Sequence, residues 1–303
     1  MFKHILVPLD GSSLAEAILP AAKSLSLHLA ARLTLLHVVE PGGPTTVHGE
    51  AHLPNAEAAQ VYLKRLVDRL QQEGVQADWH VDVVEQGNVA KTIFAHTGEL
   101  GTDLVMLATH GENGLRGIVF GSIAQQVVKS GGVPVFMLRP EWTPATFDPG
   151  LILVPLDGSA VHEPALHLAA ELAPYFNARL HLVVVVPTLG TLSAERAATG
   201  ALLPTSTKAM LDLAQNGAVE YLELKVQALK ARGLTVSASV ERGAPGAEIL
   251  KVASRSDAGL VVMGTHGRAG LSAFWEGSVT PKVLEQVHAP VLLLRVFGPE
   301  PVR

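Results

Sequence analysis

Ile152-Leu153-Val154-Pro155-Leu156-Asp157-Gly158-Ser159 repeats, residue for residue, the earlier stretch Ile5-Leu6-Val7-Pro8-Leu9-Asp10-Gly11-Ser12. Each copy is a short aliphatic run that stops at Asp-Gly-Ser. Such a run reads as a strand buried on both faces, followed by a turn. The offset is 155 − 8 = 147 residues. Further on, Thr109-His110-Gly111 returns as Thr265-His266-Gly267, and Gly121-Ser122 as Gly277-Ser278, both at 265 − 109 = 156. The chain is therefore one unit written twice, and the second copy is longer by 156 − 147 = 9 residues in its middle.

Around these anchors, aliphatic runs alternate with helical patterns. Strands are expected at Lys3–Leu9, Arg32–Val39, Asp78–Val84, Leu104–Ala108 and Val133–Leu138. Their counterparts are Leu151–Leu156, Arg179–Val186, Thr235–Val240, Leu260–Gly264 and Val291–Arg295. In the first copy helices are expected at Ser13–Leu29, Ala56–Glu73, Val89–Glu99 and Ser122–Ser130. Strand–helix alternation of this kind builds a doubly wound α/β domain on a parallel sheet. The expectation is two tandem domains, residues 1–140 and 151–303, each with a five-stranded parallel sheet. Residues 141–150 form a stiff, non-helical linker, since three prolines and a glycine fall between Pro140 and Gly150.

Composition narrows the function classes. The chain has 303 residues, a net charge of −5 and no cysteine. No basic field exists to hold nucleic acid or anionic lipid. Thiolate metal sites and disulfides are excluded. No apolar run spans a bilayer and no signal peptide opens the chain, so a soluble cytoplasmic protein is the default expectation. Ligands of such sheets bind beyond the carboxyl ends of the strands. The Asp-Gly-Ser and Thr-His-Gly stretches and the Gly-Ser pairs all fall there. Ser13-x-x-Glu16 also reads as a capping box, and Ser122 and Ser278 as helix N-caps. No Gly-Lys dipeptide, GxGxxG or GxSxG is present, which argues against a P-loop, a dinucleotide fold and an α/β-hydrolase. His48 and His52 have metal-ligand spacing within an expected loop of Pro and Gly, too little for a metal site. His37 reads as a core histidine, His162 and His167 as surface residues, and 190–206 as either a loop over the site or a disordered connector.

Gly264-x-x-Gly267, nine intervening residues, then Gly277-Ser278 resembles the phosphate-binding signature of ATP-binding universal stress proteins. Val154–Ser159 resembles that family's first strand and turn, and Leu36-His37-Val38-Val39 its second strand. The likeness covers almost the whole chain. It implies an adenine nucleotide ligand, with Mg²⁺ travelling with ATP, and a regulatory role in stress response with little or no catalysis. The alternatives are a non-binding scaffold acting through protein partners and a slow ATPase. By resemblance, Pro155, Leu156, Asp157 and Val185 hold adenine and ribose, and Met263 and Gly264 flank the ribose. His266, Gly267, Arg268, Gly277, Ser278 and Val279 surround the phosphates. The first copy offers Pro8, Leu9, Asp10, Val38, Leu107, Ala108, His110, Gly111, Glu112, Gly121, Ser122 and Ile123.

The copies differ at Ala108 against Gly264 and at Glu112 against Arg268. A methyl group crowds a phosphate and a carboxylate repels it, so the second copy is the expected binder. Glu276, which precedes Gly277 where the family carries an apolar residue, is expected to face solvent. The resemblance further implies that the last strands of the two copies pair as an internal pseudo-dimer, with a further homodimer left open.

Overall fold

The computed structural model describes all residues except 41, 43–45, 48–49, 52, 54, 85–88, 110–121, 131, 143–145, 193–197, 199–201, 267–278 and 297–303. The chain divides into two compact units, Met1–Asp148 with Pro290–Arg295, and Pro149–Ala289 with Val296–Arg303.

In the first unit the aliphatic runs form β1 (His4–Pro8), β2 (Arg32–Val39), β5 (Ala77–Val83), β6 (Leu104–Ala108) and β7 (Val135–Leu138). Between β2 and β5 lies a small ribbon of β3 (Thr46–Val47) and β4 (Glu50–Ala51). The main sheet runs β7-β6-β1-β2-β5, and all four pairings are parallel. The central strand has Ile5, Leu6 and Val7 fully buried, because helices cover both faces. Strand β5 stands at one edge and carries Asp78, His80 and Asp82, whose polar side chains guard an otherwise pairable edge. The other edge is closed by β12 (Val291–Val296), antiparallel to β7 through Val291↔Met137, Leu292↔Phe136 and Leu293↔Val135. Thus the strands at Val133–Leu138 and Val291–Arg295 do meet, and residues Pro290–Arg295 group with the first unit rather than the second.

The second unit has β8 (Leu151–Leu156), β9 (Arg179–Val186), β10 (Val236–Arg242) and β11 (Leu260–His266), in the order β10-β9-β8-β11 and all parallel. Gly259, just before β11, has no room for a side chain. A Cβ there would run into the Pro149 carbonyl oxygen.

Helices depart from expectation in three places. The first is broken, as Ser13–Glu16 and Leu19–Leu29, where Ala17 ends the short turn and Pro20 opens the longer helix. Its cap is Ser12 rather than Ser13: the Ser12 hydroxyl accepts from the Ala15 amide at 3.1 Å. In the second copy, the segment expected as a loop up to Ser206 instead starts a helix at Pro204, which continues to Ala231. That helix has 28 residues against 17 in Ala56–Gln72, so 28 − 17 = 11 residues of helix are added. The linker also departs from a bare connector. Pro140–Trp142 takes a 3₁₀ turn, and Phe147 packs edge-on to Phe136 at 5.4 Å. No described helix is long and apolar enough to cross a membrane.

Among the described residues, Phe136 is the largest fully buried side chain. Phe136→Ala is expected to lower stability by about 3–5 kcal/mol, read as a shift in denaturant midpoint.

Burial holds the His4 and His181 imidazoles below their ordinary value, with the nearby Arg32 and Arg255 guanidiniums acting in the same direction. The unfolded chain then binds protons more readily than the folded one. Stability should fall as the pH drops below about 6.5 and level off below the folded values. Melting curves between about pH 7.5 and 5 check this, and His181→Gln should flatten the dependence.

Candidate nucleotide site

Strand β1 lies between β2 and β6, and β8 between β9 and β11, so in each unit three carboxyl ends stand side by side. The first-strand turn leaves from the middle one. Its Asp is fixed by short-range hydrogen bonds. Asp10 Oδ1 accepts from the Ser12 amide at 2.9 Å and from the Ser12 hydroxyl at 2.6 Å. Asp157 Oδ1 accepts from the Ser159 amide at 2.9 Å, and Ser159 Oγ in turn accepts from the Val161 amide at 3.2 Å. The glycine between has φ +93° at Gly11 and +79° at Gly158, a conformation that side chains resist.

The two turns differ in what covers them. The Leu53 side chain sits over Gly11, where a Cβ would lie 2.9 Å from it, whereas among the described residues nothing lies within 4 Å of such an atom at Gly158. Asp157 is exposed to solvent and is joined from one side by His162, whose Nδ1 is 2.8 Å from Asp157 Oδ2. Burial alone raises the Asp157 carboxyl. The hydrogen bonds from His162 and from the Ser159 amide outweigh it and leave the group below its ordinary value. Asp157 is therefore ionised near neutrality, and the imidazole Nδ1–H donates. His162, expected on the surface, is buried because the 3₁₀ turn Ala160–His162 folds it inward; His167 is exposed as expected. His37 is buried and donates from Nδ1 to the Leu9 carbonyl at 2.7 Å, which makes it a core histidine.

A tyrosine–glutamate pair flanks each Asp. The Tyr221 hydroxyl donates to Glu163 Oε1 at 3.3 Å, and Lys225 reaches the same oxygen at 2.6 Å. In the first unit Tyr62 faces Glu16 and Asp10, with Arg65 over its ring at 5.9 Å. Both phenols are pushed up, by burial first and then by these carboxylates. The sequence reading missed these tyrosines. The signal was present: Glu16 and Glu163 stand 163 − 16 = 147 apart, and two of the three tyrosines occupy the matching second-helix position. An open cavity of about 500 Å³ lies beside Tyr62 and Arg65.

Among the expected site residues, Pro8, Leu9, Asp10, Val38, Leu107 and Ala108 fall at the carboxyl ends of β1, β2 and β6, and Ile123 in the first turn of Ser122–Ser130. Pro155, Leu156, Asp157, Val185, Met263 and Gly264 fall at the ends of β8, β9 and β11, and Val279 opens the helix Val279–Gln286. His266 ends β11. The residues His110, Gly111, Glu112, Gly121, Gly267, Arg268, Glu276, Gly277 and Ser278 lie outside the described residues, as do the side chains of Ser122 and His266 and both His48 and His52. Among the described residues, no group of three or more His, Cys, Asp or Glu is arranged to hold a metal ion.

The model of the universal stress protein family matches residues 1–139 and again 150–295. The chain belongs to the universal stress protein family. A universal stress protein of Mycolicibacterium smegmatis is 25% identical over 307 residues, covering 96% of either chain. One of Methanocaldococcus jannaschii is 31% identical over 147 residues, covering 48% of this chain and 81% of that protein. Among solved structures, a universal stress protein from Archaeoglobus fulgidus superposes with a TM-score of 0.71 at 17% identity, covering 96% of this chain and 98% of that one. That last likeness bears on the fold alone.

The unequal crowding at the two glycines has a measurable consequence. Gly158→Ala should cost about 1 kcal/mol through backbone strain alone. Gly11→Ala should cost more, because Leu53 must also move. Denaturant unfolding of the two variants gives the comparison.

Proposed function

We propose that this universal stress protein has a regulatory role in stress response and binds ATP, with Mg²⁺, in its second unit. The observation that carries this reading is the β8 turn. An ionised, solvent-facing Asp157 stands at the end of a central parallel strand, beside Gly158, which no described side chain covers. A carboxylate there suits the hydroxyls of a ribose, since it only accepts hydrogen bonds. Gly264 on the next strand supplies a position without a side chain. These residues fit a nucleoside. Pro155, Leu156 and Val185 would flank the base, with Met263 beside the ribose. Backbone amides around Gly267, Gly277 and Ser278, the N-terminus of the helix at Val279, and the Arg268 guanidinium would meet the phosphates. Mg²⁺ would offset phosphate charge. No general base is assigned, and the reading is of a ligand that biases conformation or partner choice, not of a substrate.

The first unit supports a second reading, that of a scaffold. Leu53 covers Gly11, and Ala108 puts a methyl where the second unit has Gly264. Glu112 adds a negative charge next to the Thr-His-Gly stretch. This half would act through protein partners instead of a nucleotide.

Mg-ATP titration of the full chain by calorimetry is expected to give one tight site. Arg268→Ala should weaken it by about tenfold or more, the scale of a lost charge-assisted hydrogen bond, while Glu112→Ala should leave it unchanged. Two equal sites, or no adenine nucleotide bound at all, would sink the respective parts of this reading.

A further inference from the structure

The long helix Pro204–Ala231 has two apolar stripes, and it buries only one. Leu211, Leu222 and Leu229 are buried where the helix lies on β9 and β10. At about 100° per residue, Met210, Leu213, Gly217, Leu224, Ala228 and Ala231 fall within an arc of about 60° on the opposite side. All six are exposed, Met210 at 72%, Leu213 at 76% and Leu224 at 67%. The outer face of a surface helix is ordinarily polar or charged, and in the first unit it is. Tyr62 and Tyr221 set the two helices 221 − 62 = 159 residues apart, so Leu224, Ala228 and Ala231 correspond to Arg65, Arg69 and Gln72, all exposed. Met210 and Leu213 lie in the stretch that the second helix adds at its amino end. The apolar outer face is therefore peculiar to the second unit.

The stripe also matches its own reverse. Met210 and Leu224 stand equally far from Gly217, since 217 − 210 = 224 − 217 = 7. Leu213 and Tyr221 stand four residues either side of it, and Ala214 and Glu220 three. A glycine weakens a helix interior, and among the described residues nothing lies within 4 Å of where a Gly217 Cβ would be. No described contact within the chain calls for a glycine there; a second backbone crossing at that point would. We propose that this face docks a second copy of the chain, helix to helix and antiparallel, with Gly217 on the twofold axis. Such a contact is self-complementary. Met210 then meets the partner's Leu224 twice over, Leu213 lies beside the partner's Tyr221, and Glu220 falls opposite Ala214 instead of another carboxylate. The three large side chains expose roughly 400 Å² per copy, and the small residues and flanking stems add to it. Two such faces bury on the order of 1,000 Å², the size at which a specific interface begins. A reversible dimer follows, and it needs no nucleotide.

Sedimentation velocity of the full chain from about 1 to about 200 µM should show a monomer–dimer equilibrium. Leu213→Lys combined with Leu224→Lys should raise the dimer dissociation constant about a hundredfold or more, because each site occurs twice in the contact. Both positions are exposed, so the circular dichroism spectrum should not change. A monomer across the whole range overturns the proposal, and so does a dimer that the double substitution leaves intact. Register is read separately, since the chain has no cysteine. Gly217→Cys should form an interchain disulfide on mild oxidation. Leu224→Cys should not, because its two copies would stand about 20 Å apart along the helices. Cross-linking at 224 without cross-linking at 217 overturns the antiparallel pairing, whatever the lysine variant does.

Discussion

Strands β1 and β8 are hydrogen-bonded to parallel neighbours on both sides, and each is covered on both faces. A strand in that position can present polar atoms only at its ends. The amino end receives chain from the surface. The carboxyl end must turn sharply away toward a helix, and its last residues stand at the mouth between two other strand ends. Everything of functional interest follows from that confinement. The Asp is there because the turn needs a side-chain acceptor for the Ser amide, and the glycine because the backbone must pass through positive φ. The carboxylate is left facing outward as a consequence of turning the chain.

With the scaffold so constrained, the two copies have diverged mainly in what approaches the turn. In the first, Leu53 from the connection after β2 closes over Gly11, and the Asp10 carboxylate is turned to its own Ser12. In the second, no described side chain covers the glycine, and the carboxylate meets His162. A tyrosine and a glutamate remain beside the Asp in both, with an arginine or a lysine against the ring. That shared arrangement is electrostatic. Three acidic or weakly acidic groups converge, and burial and the neighbouring carboxylates keep the phenol neutral.

The outer strands show the same economy by other means. Strand β5 is tied to the following helix by Asp82 and His96, and β10 by Glu241 and Arg255. Both contacts lie at the free edge of a sheet, where a row of unpaired backbone groups would otherwise invite another strand. The guanidinium is charged at any ordinary pH, whereas an imidazole is charged only when protonated.

The repeat, the α/β class, the strand positions and the two Asp-Gly-Ser turns were legible in the sequence, because each is written locally. A strand buried on both faces is a continuous aliphatic run. A turn requires its own glycine, and duplication preserves both. Arg32–Val39, Leu104–Ala108, Leu151–Leu156 and Arg179–Val186 match residue for residue. Tertiary structure alone decided the rest. The grouping of Pro290–Arg295 with the first unit depends on an edge pairing across more than a hundred residues. The helical start at Pro204 and the break at Ala17 depend on packing and capping that periodicity does not report. His162 looked like a surface residue on a helix, and a single 3₁₀ turn carried it to Asp157. Leu53 and Tyr62 reach the first turn from the connection and the helix that follow β2. Side chains that meet across such distances are brought together by the fold, and no spacing in the chain records their contact.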